Sequence, residues 1–110
     1  MIARAWHGWT TRALADSYEG LLKGEVFPGI FAKRIPGFLR IELFRRELEH
    51  ETEFMTVMWF ASQEAVTAFV GEDHEAAYVP TSARRVLAHF DGRAAHYEVR
   101  VSRDMSGAPQ

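Results

Sequence analysis

A histidine set among small residues is where chemistry could begin in this chain. His7 falls in the run Ile2 to Trp9. Strand alternation there puts His7 on one face with Ala3, Ala5 and Trp9, and leaves Ile2, Arg4, Trp6 and Gly8 on the other. Small neighbours leave room for a ligand, and histidine is the side chain that titrates near neutral pH, so His7 suits acid–base work. Trp59 ends an apolar run on the side of Met55 and Val57, and Tyr97 alternates with Ala95, Val99 and Val101 in a late stretch. Tyr18 and Phe69 come from helical stretches, and Tyr78 from the segment that must cross back over the sheet after Gly71. The reading is one pocket between sheet and helices, with His7 and Trp59 as the catalytic pair. Trp9, Tyr18, Phe69, Tyr78 and Tyr97 would bind a small aromatic molecule there. Each of these residues also has a packing role open to it: Trp59 can fill the space beneath Phe69, His7 can be a satisfied core histidine, and a buried tyrosine needs only one hydrogen-bond partner.

Other reactive side chains point less clearly to a site. Glu72, Asp73, His74 and Glu75 are adjacent on one turn, so they diverge and lack a second converging cluster, and no metal is expected. Arg84 and Arg85 can clamp an anion or pair with nearby acids. No phosphate loop, nucleophile elbow or catalytic triad occurs. With a net charge of -2 and its basic residues scattered among acids, the chain offers no basic face, and nucleic acid is not an expected partner. The sequence has no cysteine, hence no disulfide or thiolate chemistry. No run approaches the roughly 20 apolar residues of a membrane span, and Met1 to His7 lacks the apolar core of a signal peptide, so a cytoplasmic location is expected.

The elements that must position these residues follow from periodicity. Phe54 to Ala61 is apolar, aromatic or β-branched throughout, as a central strand covered on both faces would be. Ser62 caps a helix carrying Ala65, Val66, Phe69 and Val70, which Gly71 stops. Ile2 to Trp9 is a first strand. Thr10 or Thr11 then caps a helix with Leu14, Tyr18, Leu21 and Leu22 on one stripe, weakened or ended by Gly24 and Pro28-Gly29. Phe38 to Leu48 alternates as a second strand and turns through Glu49-His50-Glu51 into the central one. Ser82 caps a short helix with Val86, Leu87 and Phe90 inward, and Arg93 to Val101 forms the last strand. This order predicts an α+β, ferredoxin-like split β-α-β fold with a four-stranded antiparallel sheet and helices on one face. It forms a single domain over residues 1–101, followed by a flexible C-terminal tail over 102–110. The opposite face would bear Arg4, Trp6, Arg40, Glu42, Phe44, Phe54, Met58, Phe60, Glu98 and Arg100. A homodimer through that sheet face is the economical cover.

The first strand, the Ile35-Pro36-Gly37-Phe38 turn and the run Met58-Trp59-Phe60-Ala61-Ser62-Gln63-Glu64-Ala65 resemble the antibiotic biosynthesis monooxygenase family of dimeric α/β barrels, over roughly residues 1–101. The resemblance implies a small cofactor-independent monooxygenase acting on an aromatic or quinol-like molecule, with substrate deprotonation giving an anion that reacts with O₂. A non-catalytic ligand-binding or stress-related dimer and an isomerase remain alternatives on the same fold. In the branch that oxidises aromatic polyketide intermediates, the strand-end tryptophan lies in the substrate cavity, and Trp59 looks like its match. That branch's asparagine position looks occupied here by Met55 or a neighbour, and its helix tyrosine by Val66. In the heme-degrading branch the matching positions look like His7, Phe69, and Tyr78 or Val79, without the heme-ligating histidine. The resemblance therefore implies no cofactor: neither heme nor flavin held tightly.

Overall fold

The computed structural model describes residues 1–107. Strand β3 (Glu51–Phe60) runs through the middle of the sheet. On one side it pairs antiparallel with β2 (Phe38–Glu47), and on the other with β1 (Ile2–Thr11). The outer edge of β1 carries β4 (His89–Phe90) opposite Gly8 and Trp9, and β5 (Ala95–Glu98) opposite Ile2 to Ala5. The result is a five-stranded antiparallel sheet in the ferredoxin-like α+β arrangement. Its fourth position, expected as one strand from Arg93 to Val101, is split in two. Asp91 turns out of the ladder, and its carboxylate accepts hydrogen bonds from the His7 backbone N–H (3.0 Å) and His7 Nδ1 (2.8 Å).

The first helix does not end at Gly24. It runs as α1 (Ala15–Leu21), a π-helical turn (Leu22–Val26) and α2 (Phe27–Ala32). Its inward residues Tyr18, Leu22, Val26 and Ile30 are all buried and spaced four apart. Steps of four overshoot an α-helical turn by about 40° each, so such a stripe would wind off the sheet. The wider i→i+5 turn brings it back. The same widening surrounds Gly24, the residue whose carbonyl a Pro28 ring would strike in a regular helix.

Helix α3 (Gln63–Val70) is capped as its sequence predicts, with Ser62 Oγ accepting from Ala65 N at 3.3 Å and Gly71 at φ 87° ending it. Helix α4 (Thr81–Arg84) is shorter than the sequence suggests, because Ala88 N bonds Trp9 O at 2.7 Å and draws the chain into the sheet. Phe90 is therefore a strand residue. Residues 102–107 contain no helix or strand, and the rest of the expected tail, residues 108–110, lies outside the described residues. No described helix is long and apolar enough to cross a membrane.

The facing of β1 and β3 is the reverse of the expected one. Buried residues along β3 are Thr52, Phe54, Thr56, Met58 and Phe60. Their partners on β1 are Thr10, Gly8, Trp6, Arg4 and Ile2. These residues face the helices, whereas His7, Trp9, Met55, Val57 and Trp59 face away. On β5, Tyr97 lies opposite Ala3 on the outer face and Glu98 opposite Ile2 on the helical one. From Arg40 onward strand β2 faces as expected, with Ile41 and Leu43 in the core and Glu42 and Phe44 outward, but a register shift between Phe38 and Arg40 puts Phe38 in the core and leaves Leu39 exposed. The reversal has a physical cause. β3 is apolar on both faces and so has no phase of its own, and Arg4, whose charge suggests solvent, is buried at 3% exposure.

Two glycines make opposite demands. Gly37 has φ 84°, and a Cβ there would meet Ala65 Cβ at 2.9 Å, whereas Gly24 has nothing within 4 Å. Gly37→Ala is expected to cost about 2 kcal/mol or more from left-handed strain plus overpacking. Gly24→Ala is expected to gain roughly 0.5–1 kcal/mol. Urea denaturation of the two variants checks both signs.

Candidate functional site

A cavity lies between the sheet and the long helix. Its floor is made by two cross-strand pairs, Arg4 with Met58 and Trp6 with Thr56. Its roof is the stripe Tyr18, Leu22, Val26 and Ile30 together with Phe27. Phe69 of α3 and the segment Tyr78 to Pro80 close the side, with Ala83 behind them. The walls are therefore apolar and aromatic, and among the described residues no acid lines them. The free interior is about 40 Å³, room for a few waters but well under the roughly 150 Å³ that holds a benzene ring. The roof, with its π-turn and Gly20, Gly24 and Gly29, none of which has a Cβ-distance neighbour, is built to yield.

Arg4 and Tyr18 bring polar groups to this apolar space, as do the hydroxyl-bearing Thr56 and Tyr78. Arg4 Nη1 donates to His74 O at 2.7 Å and to His96 Nε2 at 3.0 Å, and Nη2 donates to Ala76 O at 2.7 Å. Its guanidinium carbon lies 5.7 Å from the Phe69 ring centroid. Burial lowers its pKa to about 10, with Glu75 opposing the shift, so the group stays cationic at neutral pH. It forms no salt bridge among the described residues, an unusual state for a buried charge. Tyr18 is 1% exposed and packs edge-on against Phe54 at 4.9 Å. Its phenol has no hydrogen-bond partner among the described residues, and burial raises its pKa so that it remains a neutral donor.

The backbone that holds Arg4 is itself pinned. His74 Nε2 is 2.9 Å from Thr67 Oγ1 on α3, Asp73 pairs with Arg93 at 2.6 Å, and Ala94 N bonds Glu75 O at 2.8 Å. The segment from Asp73 to Ala76 thus runs along the sheet edge and presents its carbonyls to the guanidinium. Sequence reasoning read these residues only as a divergent charged patch.

Of the residues expected to converge, Tyr18, Phe69 and Tyr78 line this cavity. His7, Trp9, Trp59 and Tyr97 do not, since they belong to the outer face. There Trp59 Nε1 donates to Glu42 Oε1 at 3.0 Å, and Tyr97 is 60% exposed. Trp9 stacks on His89 at 4.5 Å and on His7 at 5.9 Å. The cavity's own tryptophan is Trp6, whose Nε1 donates to Asp91 O at 2.8 Å. Trp6 and Arg4 were missed because strand phase alone decides between them and their neighbours. Arg84, weighed for an anion clamp, donates instead to Val79 O at 3.0 Å.

This α+β sheet and helical roof have counterparts among known proteins. The model of the antibiotic biosynthesis monooxygenase family matches residues 29–81 of the chain. Among solved structures, one similar chain is a Bacillus cereus protein named for these monooxygenases. It is 16% identical, with 94% of this chain and 96% of that one covered and a TM-score of 0.65. Another is SnoaB, a cofactor-independent oxygenase from Streptomyces nogalater, at 17% identity, with coverage of 92% and 95% and a TM-score of 0.59. At these identities the likeness is one of fold. No curated protein matches the sequence.

The site also sets a pH response. Arginine cannot accept a hydrogen bond, so His96 Nε2 accepts from Arg4 and its proton sits on Nδ1. Burial, then the nearby Arg4 charge, lowers the His96 pKa from its ordinary 6.5. The unfolded chain then takes up this proton more readily than the folded one. The contribution to stability is complete above pH 6.5 and is lost as pH falls below it toward the depressed value. The carboxylates of Glu19, Glu47 and Asp73, held low by their ion pairs and hydrogen bonds, act at more acid pH. His96→Gln, whose amide oxygen can still accept from Arg4, is expected to flatten the fall in urea midpoint between about pH 7 and pH 5.

Proposed function

We propose that the cavity binds a small aromatic, quinol-like molecule and that the protein oxidises it with O₂ without a cofactor. One observation carries this reading: aromatic walls enclose a buried guanidinium and a phenol with no hydrogen-bond partner among the described residues, both of them donors that a ligand oxygen can use. Such a pair stabilises the conjugate base of a phenol or enol more than its neutral form. No described side chain lining the cavity is a ready proton acceptor, so the proton passes to water at the mouth while the Tyr18 hydroxyl donates to the anion and the nearby Arg4 charge stabilises it. The electron-rich carbanion form then reacts with O₂. One oxygen atom becomes a ring carbonyl, the other leaves as water with the two hydrogens of the oxidised carbon, and no outside reductant is needed. The match of residues 29–81 to the monooxygenase family model and the fold shared with SnoaB support the reading.

The same proposal makes the protein a homodimer. The outer sheet face exposes Phe44 and Tyr97 beside Trp9 and Trp59, more apolar surface than a lone chain leaves to water. Light scattering at micromolar concentration is expected to give twice the 12.6 kDa chain mass. A cytoplasmic location belongs to this reading too, and the cysteine-free sequence supports it.

Oxygen uptake with a panel of anthrones and hydroquinols tests the chemistry. Uptake without added cofactor is expected, and Tyr18→Phe is expected to lower its rate on the order of a hundredfold, as loss of one oxyanion donor does. Because that hydroxyl has no protein partner, the variant should fold as the parent does. A second reading rests on the outer face. Asp91 fixes His7 Nδ1 at 2.8 Å and leaves Nε2 free, the arrangement of a general base. Loss of turnover in His7→Ala with Tyr18→Phe unaffected would move the chemistry there. Ligand binding with no oxygen uptake would leave a binding protein or an isomerase.

A further inference from the structure

We propose that the natural ligand of this cavity is an aromatic carboxylate, bound with its acid group on Arg4 and drawn in past Lys33; this rests on the cavity being the functional site. The charge pattern is one-sided. Arg4 is the cation inside, and every hydrogen bond it makes is to a neutral acceptor: two backbone carbonyls and an imidazole that must be unprotonated to accept. Glu75, the acid that acts on it, is half exposed, does not line the cavity and lies 3.9 Å from Arg93 Nε. At the rim, Lys33 Nζ sits 4.4 Å from the Tyr78 ring centroid and 5.4 Å from that of Phe69, and it has no carboxylate partner among the described residues. Phe69 thus has two cations within 6 Å of its centroid, one inside the cavity and one at its entrance. A neutral quinol would leave both uncompensated.

Donor count selects the kind of anion. Nη1 uses both its hydrogens and Nη2 one, which leaves Nε–H and one Nη2–H. Two donors on one guanidinium are what a carboxylate takes in bidentate fashion. A phosphate dianion would need a second cation within the cavity, and beyond Arg4 the walls supply only neutral hydroxyls, those of Tyr18, Thr56 and Tyr78. The aromatic part is set by the ring faces of Trp6, Phe69 and Tyr78, with the Trp6 N–H already given to Asp91 O.

Calorimetric titration of the intact protein with matched probes tests this: benzoate against benzamide, and 2-naphthoate against 2-naphthamide, at pH 7. The acids are expected to bind about tenfold or more tighter than the amides, the worth of a hydrogen-bonded charge. Their affinity should fall as sodium chloride is raised, and Arg4→Gln should abolish the preference. Arg4 ties several segments together, so a second variant guards against loss of fold. Lys33→Gln, at an exposed position, should weaken the acids several-fold and leave the amides unchanged. Amides binding as well as acids to the parent protein would overturn the carboxylate assignment while leaving the cavity as the ligand site. Failure of both classes to bind at millimolar concentration would overturn the cavity reading itself.

Discussion

The burial of one guanidinium organises this molecule. Removing an arginine from water costs several kcal/mol unless its donors are met, and Arg4 meets three of them on the carbonyls of His74 and Ala76 and on His96. Those contacts reach from the first strand to the segment after α3 and to the last strand, so one side chain stitches three distant parts of the chain along the sheet edge. The position of Tyr78, two residues beyond Ala76, follows from that anchorage. So does the tautomer of His96. The arrangement stabilises the fold locally while keeping a positive charge at the cavity wall, where it favours an anionic guest.

The opposite wall is its mechanical contrast. The roof helix carries three glycines, a proline and a π-turn, each a cost relative to a regular helix. They are tolerated because the stripe from Tyr18 to Ile30 lies on the sheet all along its length. A rigid charged edge and a yielding apolar roof are the combination a small resting cavity needs if it is to admit a ring and still place an oxygen atom accurately.

Much of the fold is legible in the sequence. Ser62 and Gly71 mark the ends of α3, the Pro36-Gly37 turn opens β2, and the polar residues around His50 separate two antiparallel strands. These signals are local. What the sequence conceals is strand phase: Phe54 to Phe60 is apolar at both odd and even positions, so period two carries no sign there. The first strand then depends on where Arg4 and His7 are placed. Charge argues for Arg4 outside and His7 inside, and the fold does the reverse because carbonyls 70 and 72 residues downstream are brought to meet the guanidinium. Helix phase, by contrast, carries Tyr18 and Phe69 to the cavity wall, and the crossing segment brings Tyr78 there. The π-turn is invisible for a related reason: Gly24 and Pro28 read as terminators unless the four-residue spacing of Tyr18, Leu22, Val26 and Ile30 is seen as one stripe.

The three tryptophans divide cleanly between the two faces, which gives the central claim a direct readout. Trp6 lines the cavity, while Trp9 and Trp59 stand on the outer face. In a ¹⁵N-labelled sample each indole N–H gives its own resonance, to be followed as 2-naphthoate is added. The account predicts that the Trp6 indole signal shifts progressively while those of Trp9 and Trp59 stay in place. Movement of the Trp59 or Trp9 signals with Trp6 unperturbed would put the ligand on the outer sheet face and contradict the account.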